Sequence, residues 1–142
     1  MKVYLKNEIC GTKFIELQKG KYENSHFLED SIYFYEEDFM VFELIFSKFN
    51  PRYRPFKYNN FSKSLITMIL KELSIFLNKL YETKDIINAL KDMKYNIDIL
   101  SDIKKNELKS SNVDELSSTI KVLSQWLNEV LLQEKCFSVI GI

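Results

Sequence analysis

The strongest constraint in this chain is a helical stripe near its end. Val113, Leu116, Ile120, Leu123, Leu127 and Val130 recur at steps of three and four, the spacing that lines side chains along one face of an α-helix. Trp126 and Leu131 widen the stripe. Asn112 stands where a side-chain oxygen caps the first free N–H groups, and Glu115 follows three residues later in the arrangement of a capping box. The spacing predicts a helix from Val113 to about Lys135, running into a terminal stretch Cys136–Ile142. Nothing on this helix suggests chemistry.

A second long stripe, Phe61, Leu65, Met68, Ile69, Leu73, Phe76, Leu77 and Leu80, predicts a helix over about Phe61 to Glu82. Thr83 is placed to cap a shorter helix carrying Ile86, Ile87 and Leu90. Glu36 to Lys48 reads two ways. Its apolar residues face both sides, as in a buried strand, yet Phe39, Phe42, Ile45 and Phe49 keep helical spacing. Acids at 36–38 and Lys48 suit the two ends of a helix dipole, and Pro51 stops it, so helix is preferred. Asn50 to Asn60 holds both prolines and reads as a loop. Tyr95 to Ser111 has little pattern and reads as a short helix with loops.

Strand character lies elsewhere. Val3–Leu5 and Phe14–Leu17 read as two short strands joined through a turn near Gly11, and Ser31–Tyr35 adds another. Cys136–Ile140 is rich in strand formers, and a hydrophobic tail there is expected to join the sheet of the N-terminal strands. The expectation is a single α+β domain over residues 1–142. A small, mainly antiparallel sheet of N-terminal strands plus the C-terminal strand packs against several helices, two of them long. Its expected core includes Leu65, Ile69, Leu73, Phe76, Leu80 and the stripe from Leu116 to Val130.

Composition fixes the class of molecule. Hydrophobic residues make up 46% of 142 residues, which excludes a disordered chain and suffices for one core. Twenty basic residues balance 20 acidic ones, so this is no polycation built for nucleic acid. No apolar run approaches the ~18 residues of a membrane span, and the opening Met1–Lys6 alternates like a strand rather than a secretory leader. Cys10 and Cys136 fit no metal-ligand spacing and read as reduced thiols of a cytoplasmic protein.

Catalytic signatures are absent from the sequence. Histidine occurs once, as His26, and serves best as a loop or surface residue. No serine sits in a nucleophile elbow, and three scattered glycines cannot build a phosphate loop. The chain is expected to be neither an enzyme nor a binder of metal or cofactor.

Charge placement says more. From Glu23 to Glu43 stand Glu23, Glu29, Asp30, Glu36, Glu37, Asp38 and Glu43, with no Lys or Arg. These acids are either solvated loop and helix-terminus groups or a surface that steers a basic partner. From Lys48 to Lys63 the charges are all positive. Arg52, Tyr53, Arg54 and Tyr58 interleave cations with aromatics there. That pattern occurs in single-strand nucleic-acid platforms, in partner-binding hot spots, and in loops anchored on a core.

One arrangement is similar to a known group. Ile32-Tyr33-Phe34-Tyr35 runs into Glu36-Glu37-Asp38-Phe39; a long helix carries Leu73-Ser74-Ile75-Phe76-Leu77; a last helix with Gln125-Trp126-Leu127 passes into Phe137-Ser138-Val139-Ile140-Gly141-Ile142. This resembles the small bacterial immunity proteins of polymorphic and contact-dependent toxin systems. The resemblance implies a cytoplasmic protein that binds one cognate toxin domain and blocks it, with no catalytic residues. Glu29, Asp30, Glu36, Glu37, Asp38 and Glu43 are then the expected partner-binding residues, with Arg52, Tyr53, Arg54 and Tyr58 the second candidates. A nucleic-acid-binding module using the 52–58 loop is the alternative.

Overall fold

Two amphipathic helices and a four-stranded sheet bury their apolar faces against one another. The computed structural model describes residues 1–11, 13–134 and 136–141. In chain order the elements are β1 (Phe14–Lys19), β2 (Ile32–Tyr35), α1 (Glu36–Phe49), β3 (Tyr58–Ser62), α2 (Lys63–Thr83), α3 (Ile86–Asp92), α4 (Asp102–Ser110), α5 (Val113–Gln133) and β4 (Cys136–Gly141). All pairings are antiparallel, in the order β2-β1-β4-β3. This is the expected α+β class, and the C-terminal strand lies at its centre rather than its margin.

Alternation along the strands sorts the two faces of the sheet. Ile15, Leu17, Ile32, Phe34, Phe61, Phe137 and Val139 join the helices in one core. Aromatic rings fill the middle. Phe61 stacks on Phe137 at 4.8 Å, Phe46 meets Phe137 edge-on at 5.7 Å, and Trp126 meets it at 5.9 Å. α1 is helical and buries Phe39, Val41, Phe42, Ile45 and Phe46. Val41 and Phe46 complete a wide apolar face, which is why a buried strand was the rival reading. The stripes of α2 and α5 are buried as expected, except that Leu65, Leu77, Val113 and Leu131 are only half-buried and Met68 is 47% exposed. Ile66 takes the interior position beside Leu65.

Asn112 caps α5 by accepting the Glu115 N–H at 3.0 Å. The helix closes at Gln133, and Lys135, the expected end, lies outside the described residues. Ser62 caps α2, so that helix starts at Lys63, and Phe61 belongs to a strand. The Asn50–Asn60 segment is thus a loop only as far as Lys57. Two asparagines disguise β3, but β4 offers a ladder and Phe61 a buried anchor. Asp85, not Thr83, caps α3, accepting the Asn88 N–H at 2.8 Å. Thr83 is instead the last residue of α2. The stretch 95–111 holds one short 3-10 turn, Ile97–Ile99, followed by α4.

The N-terminal reading changes most. Val3–Leu5 does not form a hairpin with β1. Tyr4 makes one isolated bridge to Tyr33, on the outer side of β2. The Glu8 carboxylate accepts the Leu5 N–H at 2.8 Å and draws the chain into a tight turn over Lys6–Glu8.

Candidate partner-binding groove

The first turn of α1 sets one wall. The Glu36 N–H donates to the Lys13 carbonyl at 3.0 Å, fixing the start of the helix to the start of β1. No side chain caps this terminus, and Glu36, Glu37 and Asp38 supply the negative charge that its dipole favours. Helical spacing then sends Glu36, Glu37, Met40 and Glu43 to one side, where they line a groove of about 440 Å3.

The loop between α1 and β3 sets the second wall with Tyr53, Pro55, Phe56 and Lys57. It is seated by contacts to β3 and β4. Gly141 lies under Phe56, where an added Cβ would stand 2.7 Å from the Phe56 Cα. The Asn59 amide accepts from the Arg54 N–H at 2.8 Å and donates to the Arg54 carbonyl at 2.9 Å. α4 closes the third side with Ile103, Lys104 and Glu107.

Burial shapes the groove's chemistry. It raises the Glu43 carboxyl above its usual range; Lys104 pulls it back and the charge of Glu36 raises it further. The Tyr53 hydroxyl is raised by burial and then by the charge of Glu43. The floor and rim keep exposed apolar groups in water, with Phe56 66% and Ile103 72% exposed. Around them stand four carboxylates, Glu36, Glu37, Glu43 and Glu107, and three lysines, Lys13, Lys57 and Lys104. The rim is therefore mixed in charge rather than an acidic sheet. An apolar centre inside a polar rim is the usual anatomy of a protein interface.

The ten residues singled out by sequence do not share one surface. Glu36, Glu37, Glu43 and Tyr53 meet in the groove. Asp38 turns away, toward the Met1 ammonium and Glu115; burial raises its carboxyl, while that ammonium lowers it. Glu29 pairs with Lys6 at 2.6 Å on the turn before β2. Asp30 is exposed on the same turn, and its carbonyl accepts the Trp126 indole N–H at 3.1 Å. Arg52 and Arg54 are exposed, and neither is in an ion pair among the described residues. Tyr58 projects from the outer sheet face, its ring 5.2 Å from that of Tyr22. Cations and aromatics of the 52–58 segment thus point to different places. Met40, Ile103, Lys104 and Glu107 went unread, and Phe56 entered only as part of the 52–58 loop; an apolar Ile103 in a polar stretch was the one signal for α4.

A second cluster lies across the sheet. Glu16 is fully buried and accepts from the Phe27 N–H at 3.0 Å, the Leu28 N–H at 3.1 Å and the Tyr33 hydroxyl at 3.2 Å. His26 Nδ1 approaches it to 3.8 Å, and His26 Nε2 meets the Tyr22 hydroxyl at 3.1 Å. Three strong donors already satisfy the carboxylate, so its work is to hold the 24–28 loop, where Asn24 and Phe27 take positive φ. Among the described residues no group of three or more His, Cys, Asp or Glu is placed to hold a metal ion, and no helix is long and apolar enough to cross a membrane. Fold and groove define an α+β domain with an exposed apolar centre ringed by mixed charge. No protein-family model matches the chain, and neither does a curated protein or a solved structure.

Proposed function

We propose that this chain is an immunity protein: it binds a cognate bacterial toxin domain in the cytoplasm and blocks it by contact, without catalysis. The resemblance of its sequence supplies the toxin. The observation that carries a protein partner is the groove, with Phe56 and Ile103 exposed inside a ring of four carboxylates and three lysines. Exposed aromatic anchors inside such a ring are where interfaces concentrate their energy. The alternation of charge selects a partner with complementary alternation, rather than a uniformly negative phosphodiester chain. A nucleic-acid platform needs Arg52, Arg54 and the aromatics on one surface, and Tyr53 and Tyr58 point to different sides of the sheet.

The test uses the toxin domain that the immunity reading expects to be encoded immediately upstream of this chain. Co-expression of the wild type is expected to protect cells. Phe56→Ala removes a ring that folding does not bury, so stability stays within ~0.5 kcal/mol while affinity falls roughly 30-fold. Reversing Glu36 and Glu37 to Lys is expected to slow association and change its salt dependence. A folded Phe56→Ala protein with wild-type affinity and full protection would remove the groove from the interface. Failure of the wild type to protect would remove the toxin.

A further inference from the structure

The sheet has two edges, and the chain treats them differently. The β2 edge is covered by its own N-terminal segment: Tyr4 and Tyr33 exchange two backbone hydrogen bonds at 2.9 Å. The opposite edge is β3. Its register decides which groups are free. The Gly141 N–H donates to the Lys57 carbonyl, so the pairs Asn59↔Val139 and Phe61↔Phe137 carry the ladder, and Tyr58, Asn60 and Ser62 turn their backbone groups outward. The Asn60 carbonyl agrees, since it accepts the Asn50 side-chain amide at 3.3 Å from outside the sheet. Among the described residues nothing accepts the N–H of Tyr58, Asn60 or Ser62. All three residues are exposed.

Positive charge surrounds this edge. Lys57 and Lys63 flank β3 directly. Arg54 is held at Asn59 by the two bonds already described, and the Arg52 N–H donates to the Asn50 Oδ1 at 3.1 Å. Asn50 is the residue that meets the Asn60 carbonyl. Exposed edges are commonly protected by charge, yet a fixed basic border also selects what pairs there.

We propose that the β3 edge, Tyr58–Ser62, takes an extended acidic segment of a partner protein as an added strand. Backbone N–H groups of Tyr58 and Asn60 supply the ladder, and Arg52, Arg54, Lys57 and Lys63 supply the selectivity. A second copy of this chain is disfavoured, because two such edges bring like charges together. The inference extends the reading of the chain as a protein-binding domain and adds a contact that adjoins the groove at Lys57, which serves both.

The test does not need the toxin. A short peptide alternating Thr and Val with Glu, and its counterpart with Lys for Glu, are titrated into the full chain while amide hydrogen exchange is followed by NMR. The acidic peptide at saturation is expected to slow exchange at Tyr58 and Asn60 by roughly tenfold, and the Lys peptide to leave it unchanged. Asn60→Pro removes an outward donor, which an edge strand tolerates, and is expected to abolish the protection. Arg52→Glu with Arg54→Glu, which touches only exposed side chains, sets two glutamates against Lys57 and Lys63 and is expected to abolish the preference for the acidic peptide that the wild type shows. Equal protection by both peptides, no protection at these amides, or protection that grows with protein concentration alone would each overturn the proposal. A chain that binds the acidic strand yet fails to protect cells would sink the immunity reading alone. Protection of cells with the β3 amides still exchanging freely against both peptides would sink this inference alone.

Discussion

Phe137→Ala is the sharpest test of how the molecule is held together. Phe137 is completely buried on β4, the strand that joins β1 to β3. Its ring lies 4.8 Å from Phe61 at an interplanar angle of 16°, and it meets Phe46 and Trp126 edge-on. One side chain therefore links the sheet centre to α1 and α5. Removing it exposes or empties about 150–200 Å2 of apolar contact, worth ~4 kcal/mol at ~25 cal/mol per Å2. A loss of ~3–5 kcal/mol is the range for such a truncation, with the upper end favoured by three lost ring pairs. A domain of this size has ~5–15 kcal/mol in total, so the variant is expected to fold with a far lower urea midpoint. With a slope of ~2 kcal/mol per M, the midpoint falls by roughly 2 M. Phe56→Ala is the matched control, since its ring is 66% exposed and its change is expected within ~0.5 kcal/mol. Equal shifts for the two, or a loss under ~1 kcal/mol for Phe137, would refute the packing argument.

Two other outcomes follow from the buried Glu16 and the half-buried Glu43. Glu16→Gln keeps one acceptor where the carboxylate offers two oxygens to three donors, so stability is expected to fall ~1.5–3 kcal/mol with faster exchange at the Phe27 and Leu28 amides; unchanged exchange there would mean the loop is held by something else. For Glu43 the folded carboxyl titrates above its unfolded value, because burial disfavours its charge. The wild type therefore gains from protonation at low pH and loses that gain as pH rises through the raised value. Glu43→Gln is expected to match the wild type near pH 4 and to exceed it near pH 7, in denaturant melts at both pH values. A variant weaker than wild type at neutral pH would show that Lys104 outweighs burial.

Where one element carried its own instructions, the sequence was legible. The α5 stripe, its Asn112 cap and the α1 acids are local signals, and the helices stand where those signals place them. β3 was not legible. Asn59 and Asn60 are poor strand formers, and the strand exists because β4 offers a ladder from a point far along the chain. The reverse happened at Val3–Leu5, where alternation suggested a strand pairing that the turn at Lys6–Glu8 redirected to β2. The groove was half legible for the same reason. Charge runs exposed Glu36, Glu37 and Glu43, but α4 buries only Leu108 and carries little periodic signal, so Ile103, Lys104 and Glu107 could not be assigned. Gly141 carried no signal of its own in the sequence; the Phe56 backbone above it explains why a side chain is excluded there.

The segment Asn50–Lys57 is the piece that couples these features. On one side it contributes Tyr53, Pro55, Phe56 and Lys57 to the groove. On the other it places Asn50, Arg52 and Arg54 along the β3 edge. It holds its shape without regular structure because each part is fixed: Tyr53 packs against the core, its ring 6.3 Å from Phe61, Arg54 is clamped by Asn59, and Phe56 rests on Gly141 at a positive φ of 61°. Such contacts lower the entropy that a free loop would lose on binding. A partner that meets both sides at once gains from a surface already ordered, and the second contact then forms at high effective concentration. On the proposed reading, the contacts that fix this loop, rather than any single charge, are what favour a partner meeting both sides.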